Sequence, residues 1–399
     1  MYFELLRGRG VARIVVSQLL ARFPFGMLSI AFLIHIQRVH HSYAIAGIVL
    51  AVLSAGQAIA GPITSRLMST FGMRGLLSWT IAVCATSLTA MALFPQNVPL
   101  LIALALVAGC FMPPIQPAVR TIYPKMVPAR LLTPLFSLDA TAQEIIWIVG
   151  PVLTTFVAIQ FGGIPAVLSA VAFLVFGGIW FITSPEVGQV RIPKSKRKLG
   201  GVLFKSTVLI STLVGFVLVA AFAAIEAGII GVFGDGNPQA GWVLAIYAGG
   251  SMIGGLAWGH KEIAPWSMAR RMAVVLGGLI FALYSTDFWW LTITLFISGL
   301  GVAPVLTVLF TNVSATMKFS ETAESFAWIS SGQLVGAGLG SAIAGICIDQ
   351  FGAQTAILAA TAFALVATVV SVIAKPWSPD LRGVEVVPPA DTGSVEVVS

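Results

Sequence analysis

The sequence predicts an all-α membrane protein, twelve transmembrane helices in two six-helix repeats. Three observations predict it. Of the 399 residues, 58% are apolar and only 9% charged, against about 25% charged in a soluble domain. The apolar runs are nearly continuous rather than confined to one stripe, and at about 20 residues per span the length holds twelve of them. The second half of the chain repeats spacings of the first. A mean hydropathy of +0.97 agrees. So few charges cannot clothe a water-exposed surface, which excludes most soluble enzymes, disordered chains and secreted disulfide scaffolds. Cys84, Cys110 and Cys347 lie far apart inside apolar stretches, without disulfide or metal spacing.

Spans are placed at 13–36, 43–64, 75–95, 98–120, 134–160, 163–184, 206–232, 238–259, 271–287, 289–315, 323–348 and 353–374. Backbone polar groups in lipid must pair within their own element, so each run is read as a helix. The first run continues into a full span and is read as retained rather than cleaved. With the N-terminus cytoplasmic, twenty of the 22 Lys and Arg fall in cytoplasmic segments or at cytoplasmic span ends; Arg38 is outside and Arg22 is within a span. That asymmetry is a positive-inside signal and a check on the span count. The basic excess of +7 thus marks membrane orientation, and no nucleic-acid partner is expected.

The longest polar insertion, 185–205, carries Lys194, Lys196, Arg197 and Lys198. It divides the chain into a bundle at 1–184, a basic cytoplasmic linker at 185–205, and a bundle at 206–374. A tail at 375–399, expected to be disordered, follows. An offset of 194 residues aligns Ala46, Gly47, Gly56, Ile59 and Gly61 with Ala240, Gly241, Gly250, Ile253 and Gly255. An offset of 190 aligns Gln143, Gly150, Gln160, Phe161 and Gly162 with Gln333, Gly340, Gln350, Phe351 and Gly352. Two parallel repeats with a pathway between them describe a secondary transporter.

The loop between the second and third spans reads Ser65-Arg66-Leu67-Met68-Ser69-Thr70-Phe71-Gly72-Met73-Arg74, and the fifth span contains Gly150-Pro151. On these residues the chain resembles the major facilitator superfamily over about residues 10–375, within its drug and metabolite proton-antiporter-like group. The resemblance implies a gating role for Arg66, Gly72 and Arg74, and for Gly150 and Pro151 of the antiporter-type fifth-span motif. It departs from the family where Ser69-Thr70 replaces the usual Asp-Arg, so the acidic member of the gate is missing. The second-half counterpart is Gly255-Leu256-Ala257-Trp258-Gly259-His260.

Charges inside spans are costly, about 2.5–3.5 kcal/mol at a helix centre on insertion scales, so they mark cavities or partners. Arg22, about 14 Å into the first span, and Glu144, about 15 Å into the fifth, reach the midplane from the same side. They are read as an ion pair or as two walls of one cavity. Glu226 lies near the outer third of the seventh span, with no basic residue at its depth, and is the leading proton-binding candidate. Glu226, Glu144 and Arg22 form the proton-coupling set. Asp139 and Arg120 share a cytoplasmic depth and are read as a gate or a structural pair. Gln143 and Gln333, related by the repeat, are substrate candidates, with Trp147 and Tyr247 as aromatic surface. Gly336, Gly340 and Ala344 recur every four residues, and no strand precedes them. They are assigned to close helix contact, not a nucleotide loop. Pro24, Pro113, Pro114, Pro117 and Pro304 are expected to interrupt helices.

The expectation is proton-driven export of a small, partly apolar molecule through a bacterial-type plasma membrane, with both termini cytoplasmic. Nutrient uptake by the same fold, or a non-transporting sensor, is the alternative. No ATP-binding loop is present, no cofactor is expected, and a membrane-embedded enzyme would need clustered His, Asp or Glu that the spans lack. The partners expected are a small-molecule substrate, protons and the bilayer, with the chain a monomer.

Overall fold

The computed structural model describes residues 2–8, 10–195, 197–234, 237–384, 386 and 389; nothing is stated of the side chains of Tyr43 and Ala44. Lys196 of the connector and the tail from 390 onward lie outside the described residues. Among those described there are helices and no strands. A short helix α1 (Tyr2–Arg7) precedes the first span, which is broken into α2 (Val11–Arg22) and α3 (Pro24–His40). Next come α4 (Tyr43–Phe71) and α5 (Met73–Leu93), then the fourth span, split into α6 (Val98–Cys110) and α7 (Ile115–Met126). The fifth and sixth spans are α8 (Leu132–Phe161) and α9 (Gly163–Thr183), and the short α10 (Pro185–Gln189) opens the connector. The second half is α11 (Ser206–Phe233), α12 (Pro238–Gly254), α13 (Ser267–Ala282), α14 (Phe288–Thr316), α15 (Phe319–Phe351) and α16 (Gln354–Ile373). A π-helical turn, Gly255–Gly259, extends α12.

Among the described residues, eleven of the spans are long and apolar enough to cross a bilayer. The twelfth, α13, has 16 residues, about 24 Å at 1.5 Å per residue. It starts four residues before the predicted 271–287 and ends five before it. The sequence reading left Arg270 outside and began the span at Arg271. In the structure both lie in the first turns of α13, and Arg271 Nη1 donates to the Pro304 carbonyl at 2.7 Å. The fourth span also runs past its predicted end at Arg120, to Met126.

The helix breaks fall where proline removes an N–H. Pro24 opens α3, a position whose N–H has no intrahelical acceptor in any case, and Pro113–Pro114 lie between α6 and α7. Pro117 and Pro304, also expected to interrupt, sit inside continuous helices. Pro117 is in a first turn, where the missing donor costs little. The tail also differs from expectation. Residues 375–377 form a 3-10 turn, Leu381 N–H donates to the Ile263 carbonyl at 2.8 Å, and Val386 is buried. Leu381, packed against the core, ties this segment to the 260s loop.

The repeat seen in the sequence is a repeat of packing. Gly150 on α8 abuts Gly26 on α3, and a Cβ there would sit 3.0–3.1 Å from Gly26 backbone atoms. Its equivalent, Gly340 on α15, abuts Ala220 on α11, and Ala220 is residue 26 displaced by 194. Likewise Gly56 on α4 meets the Leu106 carbonyl on α6, while Gly250 on α12 meets the Phe296 carbonyl on α14. Span five thus packs on span one as eleven packs on seven, and two on four as eight on ten. Gly336 lies against the Phe216 carbonyl and serves close helix contact, as its spacing predicted.

Candidate functional site

Breaks in the first and fourth spans place polar side chains beside α8. Asp139 of α8 is fully buried and bridges two arginines. Arg22 Nη1 donates to Asp139 Oδ1 at 3.1 Å and Arg120 Nε to Oδ2 at 2.9 Å, with side-chain exposures of 2% and 0%. Gln18 Nε2 and the Tyr123 hydroxyl add donors to Oδ1 at 3.1 and 3.2 Å. The outer edges of the guanidiniums go to amides. Arg22 Nη1 donates to Gln18 Oε1 at 2.8 Å and Nη2 to Gln143 Oε1. With the Gln116 oxygen turned toward it, Arg120 donates through Nη1 and Nη2 at 2.8 and 2.7 Å. The Arg120 guanidinium carbon also stands 3.4 Å from the ring centroid of Phe310, across the interface between halves.

Arg22 is therefore paired with Asp139, not with Glu144. At 100° per residue the two carboxylates lie about 140° apart on α8, so they leave the helix on different faces. Glu144 turns to the second half, where Ser251 Oγ donates to its Oε1 at 2.8 Å and itself accepts from Ala303 N–H at 3.1 Å. Glu226 is exposed on α11 and makes no hydrogen bond or ion pair among the described residues. One turn earlier Phe222 stacks on Tyr247, centroids 5.7 Å apart, and Tyr247 is buried beneath it. Trp147 is 42% exposed, one turn outward from Gln143 on the same face of α8. Gln333 is half-buried against Gly215 of α11. The structure gathers Arg22, Arg120, Asp139 and Gln143 into one network. Glu144, Glu226, Gln333 and Tyr247 stand outside it.

Among the described residues, side-chain bonds between the halves lie from mid-span to the end that carries the connector. Outermost are Glu144–Ser251 and Ser331 Oγ, which donates to the Ala58 carbonyl at 2.7 Å. Below them Phe136, Phe310 and Phe326 pack from both halves at 6.0–6.4 Å. Ser137 Oγ then donates to the Gly255 carbonyl at 2.6 Å, and the Tyr2 hydroxyl of α1 to the Leu256 carbonyl at 3.2 Å. Burial pushes the Tyr2 phenol above its ordinary pKa, with its Ser137 hydrogen bond opposing, so it stays a donor at neutral pH. At the connector end the buried carboxylates of α15 are met by half-exposed arginines, Arg66 Nη1 to Glu324 Oε2 at 3.3 Å and Arg197 Nε to Glu321 Oε1 at 2.8 Å. The connector end is closed in this conformation.

Comparison with known proteins follows the same lines. The family model described as Major Facilitator Superfamily matches residues 14–283 and 208–391, together most of the chain. The chain belongs to the major facilitator superfamily. This facilitator is a multi-pass membrane transporter and not an enzyme. A search of curated proteins by sequence returned no match. Solved structures share its fold at low identity. The human organic anion transporter MFSD10 aligns with a TM-score of 0.69 at 13% identity, covering 90% of this chain and 99% of that one. A bacterial homologue of the iron transporter ferroportin, in an outward-facing state, gives 0.70 at 12%, covering 92% and 98%. The proton:xylose symporter XylE, bound to 6-bromo-6-deoxy-D-glucose, gives 0.68 at 14%, covering 94% and 97%.

In this facilitator the acid missing from the loop after α4 is matched by carboxylates on α15. Arg66 reaches Glu324 and the Arg197 carbonyl, and Gly200 N–H donates to Glu324 Oε1 at 2.7 Å. Arg74 stays within its half and donates to the Ser184 carbonyl at 2.9 Å. Gly72 turns the chain between α4 and α5 at φ 75°, a conformation an L side chain resists. Glu321 was missed because the predicted eleventh span opened at 323 and left it outside, whereas Glu324 fell one residue inside that span and was passed over; in α15 both are buried, Glu321 in the first turn and Glu324 one turn on. Acidic residues three apart at a helix start were the available signal. Gln18, Gln116, Tyr123 and Ser251 were missed because nothing in their local sequence separates a network partner from an ordinary in-span polar residue. Glu324→Gln is expected to weaken closure by about 1–2 kcal/mol, read as a lower disulfide yield between Ala58→Cys and Ser331→Cys in a background without the native cysteines.

Proposed function

We propose that this transporter couples protons to export of a small, partly apolar molecule by alternating access. The proposal places it in the plasma membrane, with both termini and the connector in the cytoplasm. The observation that carries it is Glu144. It is a buried carboxyl at mid-span, without a cationic partner among the described residues, and its hydrogen bond to Ser251 joins the two halves. An unpaired charge there is costly, and taking up a proton removes the charge. Opening the connector end parts Glu144 from Ser251, so proton binding and conformation share one contact. Glu226, exposed on the outer part of α11, is the site from which a proton enters. Gln333 and Trp147 offer substrate contacts between the halves, Gln143 holds Arg22 beside them until substrate takes its place, Tyr247 backs the wall, and Arg66 with Glu324 gates the cytoplasmic face. The crowding of basic residues at the connector end supports the orientation, and Gly150-Pro151 supports export.

The test follows closure against pH. In reconstituted protein, the Ala58→Cys/Ser331→Cys cross-link yield is expected to change with pH, and Glu144→Gln to flatten the profile. A Glu144→Gln protein with the wild-type profile contradicts the proposal. Efflux from preloaded cells exceeding entry into empty ones supports export; the reverse supports uptake.

A further inference from the structure

We propose that the substrate is a small organic monocarboxylate with an aromatic body, its carboxylate bound by Arg22 and Arg120 in place of two glutamine amides. This rests on the transport reading and names the substrate class for the same space between the halves.

Charge is the first ground. The network buries two guanidiniums against one carboxylate, and Glu144, the next acid on α8, is turned to the other half. A net positive charge in low dielectric is costly and is relieved by an anion. Geometry is the second. Asp139 occupies one edge of each arginine, while the other edges meet only neutral oxygens, Gln143 for Arg22 and Gln116 for Arg120. The two amides converge, since the Gln116 terminal atom lies 3.1 Å from Gln143 Oε1. Two neutral oxygens thus stand where a carboxylate would place two charged ones, and charge-assisted bonds are about twice as strong. Arg22 Nε, on a side chain 98% buried, has no hydrogen-bond partner among the described residues. Orientation is the third. The break at Phe111–Pro114 sets the N-terminus of the twelve-residue α7 at mid-span, with Gln116 in its first turn, and such half-helix ends favour anions.

Access and shape complete the assignment. Gln116 and Gln143 are half-buried on the side facing the second half, where Ser330 Oγ lies 3.5 Å from the Gln116 amide. The indole of Trp147, one turn outward from Gln143, gives the aromatic body a surface. Arg120 lies over Phe310 of the other half, so an anion on Arg120 acts on a contact that holds the halves together.

The experiment is thermal unfolding of the purified full-length chain at fixed ionic strength, titrated with benzoate and with its neutral counterpart benzamide. Benzoate is expected to raise the Tm saturably, by about 2–5 °C, and benzamide to leave it unchanged. Gln143→Glu, which supplies a fixed carboxylate to Arg22, is expected to fold and to bind benzoate at least about tenfold more weakly. Gln143→Ala, which removes the competing amide without adding charge, is expected to bind benzoate at least as tightly as wild type. Equal responses to benzoate and benzamide, an unimpaired response in Gln143→Glu, or a lost response in Gln143→Ala would overturn the proposal. The pH dependence of cross-linking uses no benzoate. Absent benzoate binding with that dependence intact therefore overturns the substrate class alone, and the converse overturns proton coupling alone.

Discussion

Asp139→Asn is expected to cost about 3–5 kcal/mol, the range for removing one partner of a buried charge pair, and to leave little folded protein in the membrane. One carboxylate balances Arg22 at 3.1 Å and Arg120 at 2.9 Å, and it also accepts from Gln18 and Tyr123. Asparagine keeps the volume and loses the charge, so two buried guanidiniums face each other with no carboxylate between them. Arg22→Gln leaves a one-to-one pair between Asp139 and Arg120 and is expected to be clearly milder. Thermal unfolding of the purified variants measures both. If Asp139→Asn is no worse than Arg22→Gln, charge balance is not what holds this network.

Gly259→Leu is expected to leave each half folded and to abolish closure of the connector end. A Cβ at Gly259 would meet Ser137 Oγ of the opposite half, and one at Gly255 would meet Thr141 Oγ1. These glycines let the π-helical turn approach α8 closely enough for Ser137 to reach the Gly255 carbonyl. A leucine wedges that approach, and Thr307 Oγ1 already lies 3.4 Å from the added carbon. Wild-type thermal stability with loss of the Ala58→Cys/Ser331→Cys cross-link is the expected result. A variant that cross-links normally would show that the turn does not control closure.

The contrast between these two sites explains what the sequence could reveal. Charges in hydrocarbon are rare, so Arg22, Asp139 and Glu144 stood out as soon as the spans were drawn. Their partners did not. Whether Arg22 meets Asp139 or Glu144 depends on which face of α8 each carboxylate leaves, and depth alone does not fix that. The repeat was legible because glycines at helix crossings cannot change without a clash, as Gly150 on Gly26 and Gly340 on Ala220 illustrate. The closing contacts were not legible. Arg66, Arg197, Glu321, Glu324 and Tyr2 come from separate segments brought together only by the docking of the halves. Arg271 shows the remaining difficulty, because a charge read as the edge of a span proved to be a half-buried strut within it.

Alternating closure of the two halves is tested most directly by paired spin-label distances across both ends of one molecule. Labels at Thr70 and Lys318 report the connector end, and labels at Phe161 and Trp242 the opposite end, all four being exposed positions. The expected result is two populations whose distances change in opposite senses, the short connector-end distance accompanying the long one at the far end, with the balance shifted by Glu144→Gln. Distances that stay single at both ends, or that lengthen together, would contradict it.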